Sequence, residues 1–78
     1  MTEPEARSLI ADIIAGIAPE ADLTTVGESD DLREALDLDS MDFMNLVVAL
    51  HERTGIDIPE GDYPKLRTLG SAIAYFGR

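Results

Sequence analysis

The sequence DSMDFMNLVVALHERTG, residues 39–55, decides the fold. Asp39 is a preferred N-cap residue, and Asp42 places a negative charge in the first turn, where the helix dipole favours it. Gly55, directly after Thr54, is a natural C-terminal stop. Between these ends, apolar residues occupy positions 41, 43, 44 and 46–50, which is nearly every side of the helix. We therefore predict a helix that lies at the centre of the domain.

Helical periodicity recurs on both sides of this segment. Apolar residues at 6, 9, 10, 13, 14 and 17 share one face and predict a first helix over about residues 3–17. Thr2 and Glu5 have the spacing of a capping box, and Pro19 stops the pattern. Thr68 predicts the start of a last helix. The residues of that helix predicted to face inward are Leu69, Ala72, Ile73 and Phe76.

Residues 18–39 form a long connection rich in acidic and small polar residues, and a connection of this length in a compact domain is usually functional. Asp30 is predicted to cap a short turn within it. The residues of this connection expected to contact the core are Leu23, Val26, Leu32 and Leu36.

A further short helical turn is predicted through Tyr63 and Leu66, after Pro59. No segment alternates convincingly between apolar and polar residues as a strand does. The sequence therefore predicts an all-α fold, a small four-helix bundle with three main helices and one short one, in a single domain over residues 1–78.

Size and charge exclude several classes of function. The chain has 78 residues and a formal charge of −10, from sixteen acids against six Lys and Arg. A domain this small has a thin core, which argues against a self-sufficient enzyme with an enclosed cleft. Nucleic acid and anionic membranes would repel it, so we expect neither as a partner. With no cysteine, no signal-like N-terminus and no long apolar run, we expect a cytoplasmic protein. We also expect a monomer.

The acids are concentrated before and around Ser40. From Glu20 to Asp42 there are nine acids and one base, Arg33. Such a field of one sign would steer partners with basic patches toward Ser40. It could equally serve only to keep a small protein soluble.

Ser40 is the candidate functional residue. Asp39 can cap the helix, which leaves the Ser40 hydroxyl free at the first turn, where backbone N–H groups and the dipole favour a phosphate. Leu38, Met41 and Met44 would place apolar side chains beside it, although core filling is at least as good an explanation for Met44. Ordinary capping chemistry is the commoner meaning of Asp-Ser in isolation.

Catalytic and metal-binding roles for these residues are not supported. The only histidine, His51, lies eleven residues from Ser40, or roughly 16 Å along one helix, which excludes a nucleophile–base pair. Asp37 and Asp39 could open a calcium loop, but Met41 and Asp42 stand where that loop needs an oxygen ligand and glycine. We expect no catalytic residue and no metal site.

The chain resembles the family of acyl carrier and peptidyl carrier proteins over nearly its whole length. Asp39-Ser40-Met41 matches the Asp-Ser-Leu signature of that family, and the apolar helix follows it. Ile56-Asp57-Ile58-Pro59 matches the element after that helix, and Thr68-Leu69 with the residues at 72–75 matches the last helix. The motif at this depth, in an acidic helical pattern, is a specific signal.

The resemblance implies a stand-alone carrier that is not an enzyme. Ser40 would receive 4′-phosphopantetheine from coenzyme A through a phosphopantetheinyl transferase, and the thiol of that arm would hold acyl or aminoacyl cargo as a thioester. Asp39 and Met41 would flank the attached group. Ligases, synthases and transferases with basic docking patches would be the other partners. The residues expected to contact partners are Leu38, Asp42, Met44, Asn45, Val48 and Ile58.

Two departures from the family pattern bear on the pathway. Asp37 and Leu38 stand where fatty-acid carriers often have Gly-Ala, and Asn45, His51 and Arg53 replace acids usual along the second main helix of housekeeping carriers. Methionine after the serine also occurs in carriers related to D-alanyl carriers. We therefore expect a specialised pathway, with the cargo undecided between acyl and aminoacyl groups. Small residues such as Ala49 and Ala72 could leave room for cargo between the helices.

One alternative of a different class remains from the residues alone. An unmodified acidic helical adaptor that docks basic proteins would explain the charge. It would leave the setting of Ser40 as a coincidence. Attachment of phosphopantetheine separates the two hypotheses.

Overall fold

The computed structural model describes residues 1–77 and confirms the predicted all-α fold. The only β-type pairing in that part of the chain is one isolated bridge between Asp31 and Thr68. Two 3₁₀ helices accompany the α-helices. In chain order the elements are α1 (Glu3–Ile17), a first 3₁₀ helix (Leu23–Thr25), α2 (Leu32–Ala35), α3 (Ser40–Thr54), a second 3₁₀ helix (Glu60–Leu66) and α4 (Leu69–Phe76).

The predicted ends of the main helices are confirmed, because local side-chain chemistry sets them. Thr2 and Glu5 form the capping box of α1. The Ser71 N–H donates to the Thr68 hydroxyl at 3.3 Å and begins α4. Gly55 ends α3 in the left-handed conformation, φ 71°, which a residue with a Cβ rarely adopts.

The core lies where α1, α3 and α4 meet. Each main helix contributes one apolar face, and α2 and the second 3₁₀ helix each add one buried leucine, Leu32 and Leu66. The largest fully buried side chains are Ile10, Ile14, Leu32, Leu46, Leu50, Leu66 and Leu69.

The prediction that α3 lies at the centre of the domain holds for only one side of the helix. Only one of its faces is in the core, formed by Phe43, Leu46, Val47 and Leu50. The opposite face carries three exposed apolar residues, Met41, Met44 and Val48. The helices of so small a domain surround one core, so none of them has neighbours on every side.

Within the connection after α1, the predicted cap is displaced by one residue. Asp31, and not Asp30, is the N-cap of α2, since its side chain accepts from the N–H groups of Arg33 and Glu34. Asp30 instead accepts from the Gly27 N–H at 2.8 Å and closes the preceding turn.

Backbone bonds tie this connection to the start of α4, and we call these contacts the clasp. The Leu32 N–H donates to the Arg67 carbonyl at 2.6 Å, and the Gly70 N–H donates to the Glu28 carbonyl at 2.8 Å. The Arg67 guanidinium also bonds Asp31 at 3.0 Å. A Cβ at Gly70 would lie 3.0 Å from the Glu28 carbonyl oxygen, so the close approach favours glycine.

The second 3₁₀ helix packs mainly on α4. The Tyr75 hydroxyl donates to Asp62 at 2.8 Å, and the Ser71 hydroxyl donates to the Lys65 carbonyl at 2.5 Å. Its contact with α3 is slighter, and a groove separates the two. Within residues 1–77, no helix has both the length and the apolar character needed to cross a bilayer.

Candidate functional site

Ser40 is the first residue of α3, and its side chain is exposed. The capping that its own hydroxyl could have provided is carried out by its neighbours. The Asp42 N–H donates to Asp39 at 2.8 Å, and the Asp39 N–H faces the Asp42 carboxylate at 3.4 Å, completing a capping box. No hydrogen bond engages the Ser40 hydroxyl within the described residues. It is therefore available for chemistry at the positive end of a helix dipole.

The chain before Ser40 takes a shape that the sequence did not reveal. Asp37 has φ 55°, a left-handed conformation that is uncommon for a residue other than glycine. Residues 36–39, between α2 and α3, form the linker before Ser40. The Leu38 N–H donates to the Arg33 carbonyl at 2.9 Å, which folds this linker back on α2. Leu38 is only 6% exposed and so anchors the start of α3. Of the residues predicted to contact partners, it offers the least surface, contrary to its expected place beside the hydroxyl.

The remaining predicted contact residues lie on or beside the outward face of α3. Met41 is 75% exposed, Val48 47% and Met44 40%. Asn45 is also exposed, and Asp42 is half-buried. Exposed apolar side chains of this size on so small a domain are typical of a surface that contacts other molecules.

The acidic field around Ser40 is only partly neutralised by ion pairs. In the acidic stretch, Glu28 pairs with Arg7 at 2.8 Å and Asp31 with Arg67 at 3.0 Å. Burial raises the pKa of the Asp31 carboxyl, but hydrogen bonds from the Arg33 and Glu34 N–H groups and the charge of Arg67 outweigh it. The net pKa therefore lies below the usual value of 3.8.

A groove of about 420 Å³ opens between α3 and the second 3₁₀ helix. Positions 40, 44, 47, 48 and 51 recur at helical spacing, so the groove lies on the same side of α3 as Ser40. Its near end, at Val47, is about 10 Å from Ser40 along the axis. The lining residues are Val47, Val48, His51, Asp57, Ile58, Pro59 and Tyr63. The expected room beside Ala49 and Ala72 is not this groove, and Ala72 is buried in the core.

His51 lies at the far end of the groove and bonds the turn that follows α3. Its Nδ1 is 2.8 Å from the Ile56 carbonyl oxygen and 3.7 Å from Asp57 Oδ1. Both His51 and Ser40 belong to the continuous helix α3, eleven residues and roughly 16 Å apart. The structure therefore confirms that the two side chains do not meet.

The residues at Ser40 fit a phosphate-linked prosthetic group. The hydroxyl is exposed and unengaged, the helix N-terminus favours a phosphodiester, and the exposed side chain of Met41 gives an apolar neighbour. No group of three or more His, Cys, Asp or Glu residues in the described part of the chain could hold a metal ion.

Comparisons with known proteins agree with this geometry. Residues 8–76 match the family described as "phosphopantetheine attachment site". The acyl carrier protein of Lactobacillus johnsonii is 37% identical over 75 residues, covering 96% of this chain and 92% of the relative. The acyl carrier protein of Chlamydia muridarum is 36% identical over 73 residues, covering 94% of this chain and 88% of that relative. A solved structure of the acyl carrier protein from Enterococcus faecalis superimposes with a TM-score of 0.77 at 28% identity, covering 96% of this chain and 94% of that one.

Proposed function

Because the chain belongs to the acyl carrier protein family, whose members carry phosphopantetheine and are not enzymes, we propose that it is a carrier with the arm on Ser40. The observation that carries this assignment is the position of Ser40. It is the exposed first residue of α3, in the Asp39-Ser40-Met41 motif, with a hydroxyl that capping does not use. The alternative of an unmodified acidic adaptor has no support from the family.

The chain's own part in carriage is to hold the attachment point and expose it. A terminal thiol on the arm supplies the thioester bond to cargo. Asp39 and Asp42 fix the start of α3, so the Ser40 oxygen projects from a rigid helix end. The buried side chain of Leu38 holds the preceding linker against the domain. Partner enzymes would thus meet the attachment point in a constant geometry.

The proposed partner surface is the outward face of α3 with the acidic linker before it. Met41, Met44 and Val48 supply apolar contact area, while Asp42 and Asn45 supply polar contacts beside them. Ile58 is half-buried at the edge of the groove and extends this surface. The phosphopantetheinyl transferase, loading ligases or synthases, and transferases with basic patches would bind here.

We further propose a specialised pathway over general fatty-acid synthesis. Asn45, His51 and Arg53 are all exposed, so they change the charge of the helix where partners would meet it. The apolar part of the groove, formed by Val47, Val48, Ile58 and Pro59, supports an acyl cargo over an aminoacyl one. The monomeric state and the cytoplasmic location stay predictions from the sequence.

Intact mass after incubation with coenzyme A, magnesium and a broad-specificity phosphopantetheinyl transferase tests the site. The wild type should gain one phosphopantetheine. Ser40→Ala should fold normally and gain none, whereas Ser8→Ala, which alters an exposed serine of α1, should be modified like the wild type. Modification of the Ser40→Ala variant, or none in the folded wild type, would refute the assignment.

The pathway assignment has its own test. The holo-protein loaded with a malonyl group should be a poor substrate for a ketosynthase of general fatty-acid synthesis. A variant with Asn45→Glu, His51→Glu and Arg53→Glu should be a better substrate for this ketosynthase, because it restores the acids usual at these positions. Efficient turnover of the unaltered protein would place it in general fatty-acid synthesis after all.

A further inference from the structure

The groove between α3 and the second 3₁₀ helix has an unequal lining. Nearest Ser40 it is walled by Val47 and Val48, which are apolar. About 16 Å along α3 from Ser40 it is bounded by His51, a side chain able to form a directed hydrogen bond. Along the α3 wall, a chain that enters from the Ser40 end would meet the two valines first and the imidazole last, and Asp57 and Tyr63 add two further polar side chains to the lining.

The hydrogen bond of His51 fixes what its ring can offer. A carbonyl oxygen only accepts, so the 2.8 Å contact with the Ile56 carbonyl requires a proton on Nδ1. The Asp57 carboxylate, 3.7 Å from the same nitrogen, favours the proton there too. In the neutral ring, Nε2 is then left without a proton and acts as an acceptor. The His51 side chain as a whole is 46% exposed.

We propose that the groove selects acyl chains that are apolar next to the thioester and end in a hydrogen-bond donor such as a hydroxyl, with His51 Nε2 as the acceptor. This inference rests on the proposed attachment of the arm to Ser40. His51 is thereby a specificity-determining residue for cargo, since it touches the part of the chain that distinguishes a hydroxylated acyl group from a plain one. The groove volume of about 420 Å³ lies in the range of small-molecule sites.

Two substitutions distinguish the roles of the two ring nitrogens of His51. His51→Asn keeps a side-chain N–H at the position of Nδ1, able to donate to the Ile56 carbonyl, and removes the acceptor. His51→Gln reaches further and returns an amide oxygen near the position of Nε2. A structural role through Ile56 would be preserved in His51→Asn, so loss of selectivity in that variant, with selectivity kept in His51→Gln, would assign the effect to the acceptor at Nε2.

The experiment loads the apo-protein from hexanoyl-coenzyme A or its ω-hydroxy counterpart and first confirms loading by intact mass. Thioester hydrolysis is then followed at mildly alkaline pH, with imidazole ¹⁵N and groove methyl shifts of Val47, Val48 and Ile58. We expect the ω-hydroxy cargo to be protected about fivefold more than hexanoyl in the wild type and His51→Gln, corresponding to one hydrogen bond. The advantage should vanish in His51→Asn, and in the wild type the Nε2 shift should change with the ω-hydroxy cargo but not with hexanoyl.

Each other result overturns the inference. Equal protection of both cargoes in all three proteins would mean that the groove takes plain alkyl chains without the His51 contact. Unchanged groove methyl shifts with either cargo would mean that the groove holds neither. In both cases the attachment to Ser40 would stand, because loading is read separately. Failure to load would refute the proposed function and this inference with it.

Discussion

The two faces of α3 have similar residues and opposite surroundings. Leu46 and Leu50, on one face, are 1% and 0% exposed, whereas Met41 and Val48, on the other, are 75% and 47% exposed. Both faces are apolar, so apolar character alone does not say which one forms the core. The inner face is fixed by the neighbouring helices, and the outer face remains uncovered beside Ser40. One helix thus supports the fold on one side and leaves apolar side chains exposed on the other.

The largest expected difference between the faces is in stability. Leu50→Ala removes a fully buried side chain and should lower the free energy of unfolding by about 3 kcal/mol. Val48→Ala shortens an exposed side chain and should change it by less than about 0.5 kcal/mol. Urea denaturation of the two variants measures both. Equal losses of unfolding free energy in the two variants would show that the outer face is packed as well, and the two faces would then not differ.

The next effect should appear in function and not in stability. Val48→Asp places a charge in the outward face and should lower kcat/KM for phosphopantetheinylation about tenfold, as loss of a central interface contact does. The free energy of unfolding should barely change. Ser8→Asp adds the same charge to an exposed position of α1 and serves as the control. If both variants are modified at the wild-type rate, the outward face does not contact the transferase.

A smaller effect is expected at the start of α3, where capping and charge coincide in Asp39. Asp39→Ala should lower stability by about 1 kcal/mol, whereas Asp39→Asn keeps an acceptor for the Asp42 N–H and should be nearly as stable as the wild type. Both remove a negative charge and should slow association with the transferase at low salt, with less effect at high salt. Rates that do not depend on ionic strength would exclude electrostatic steering.

The smallest effect concerns the opposite side of the groove. The hydrogen bond from Tyr75 is the main cause that lowers the pKa of the Asp62 carboxyl below 3.8. Because the folded state favours the ionised carboxylate, this stabilisation is present above the unfolded pKa and is lost as the pH falls through the lowered folded pKa. Tyr75→Phe should therefore flatten the loss of stability in acid.

Urea midpoints measured across the acidic range would test this. Tyr63→Phe is the matched control, because it removes a tyrosine hydroxyl from the 3₁₀ helix that carries Asp62, and no hydrogen bond from this hydroxyl to a carboxylate is found within residues 1–77. If the urea midpoint falls equally steeply with decreasing pH in the wild type and in Tyr75→Phe, the Tyr75–Asp62 pair does not influence stability.

Sequence reasoning was most successful where structure is local. The caps at Thr2, Asp39 and Thr68 and the stop at Gly55 were all predicted, since each depends on residues within one turn. The same local reasoning placed a cap at Asp30, one residue too early. Two adjacent aspartates have equal capping ability, and the choice of Asp31 depends on Arg67, which is distant in sequence.

Features that depend on how separate elements pack against each other could not be predicted. The inner face of α3, the clasp and the groove all follow from how separate helices meet. The left-handed backbone at Asp37 could not be predicted either, because the residue at that position is not glycine. For the candidate site, the motif identified Ser40 directly, but the burial of Leu38 and the orientation of His51 toward the Ile56 carbonyl emerged only from the tertiary arrangement.

The clasp also has a consequence for the timing of synthesis. The connection that leads to Ser40 is held by the Arg67 carbonyl and the Gly70 N–H, which follow their partners Leu32 and Glu28 in the chain by 35 and 42 residues. A nascent chain that ends before Arg67 can form α3, yet it lacks the partners that fix the linker in front of it. A transferase that recognises this linker together with α3 would act only after translation of the whole domain. Modification would then report that folding is complete.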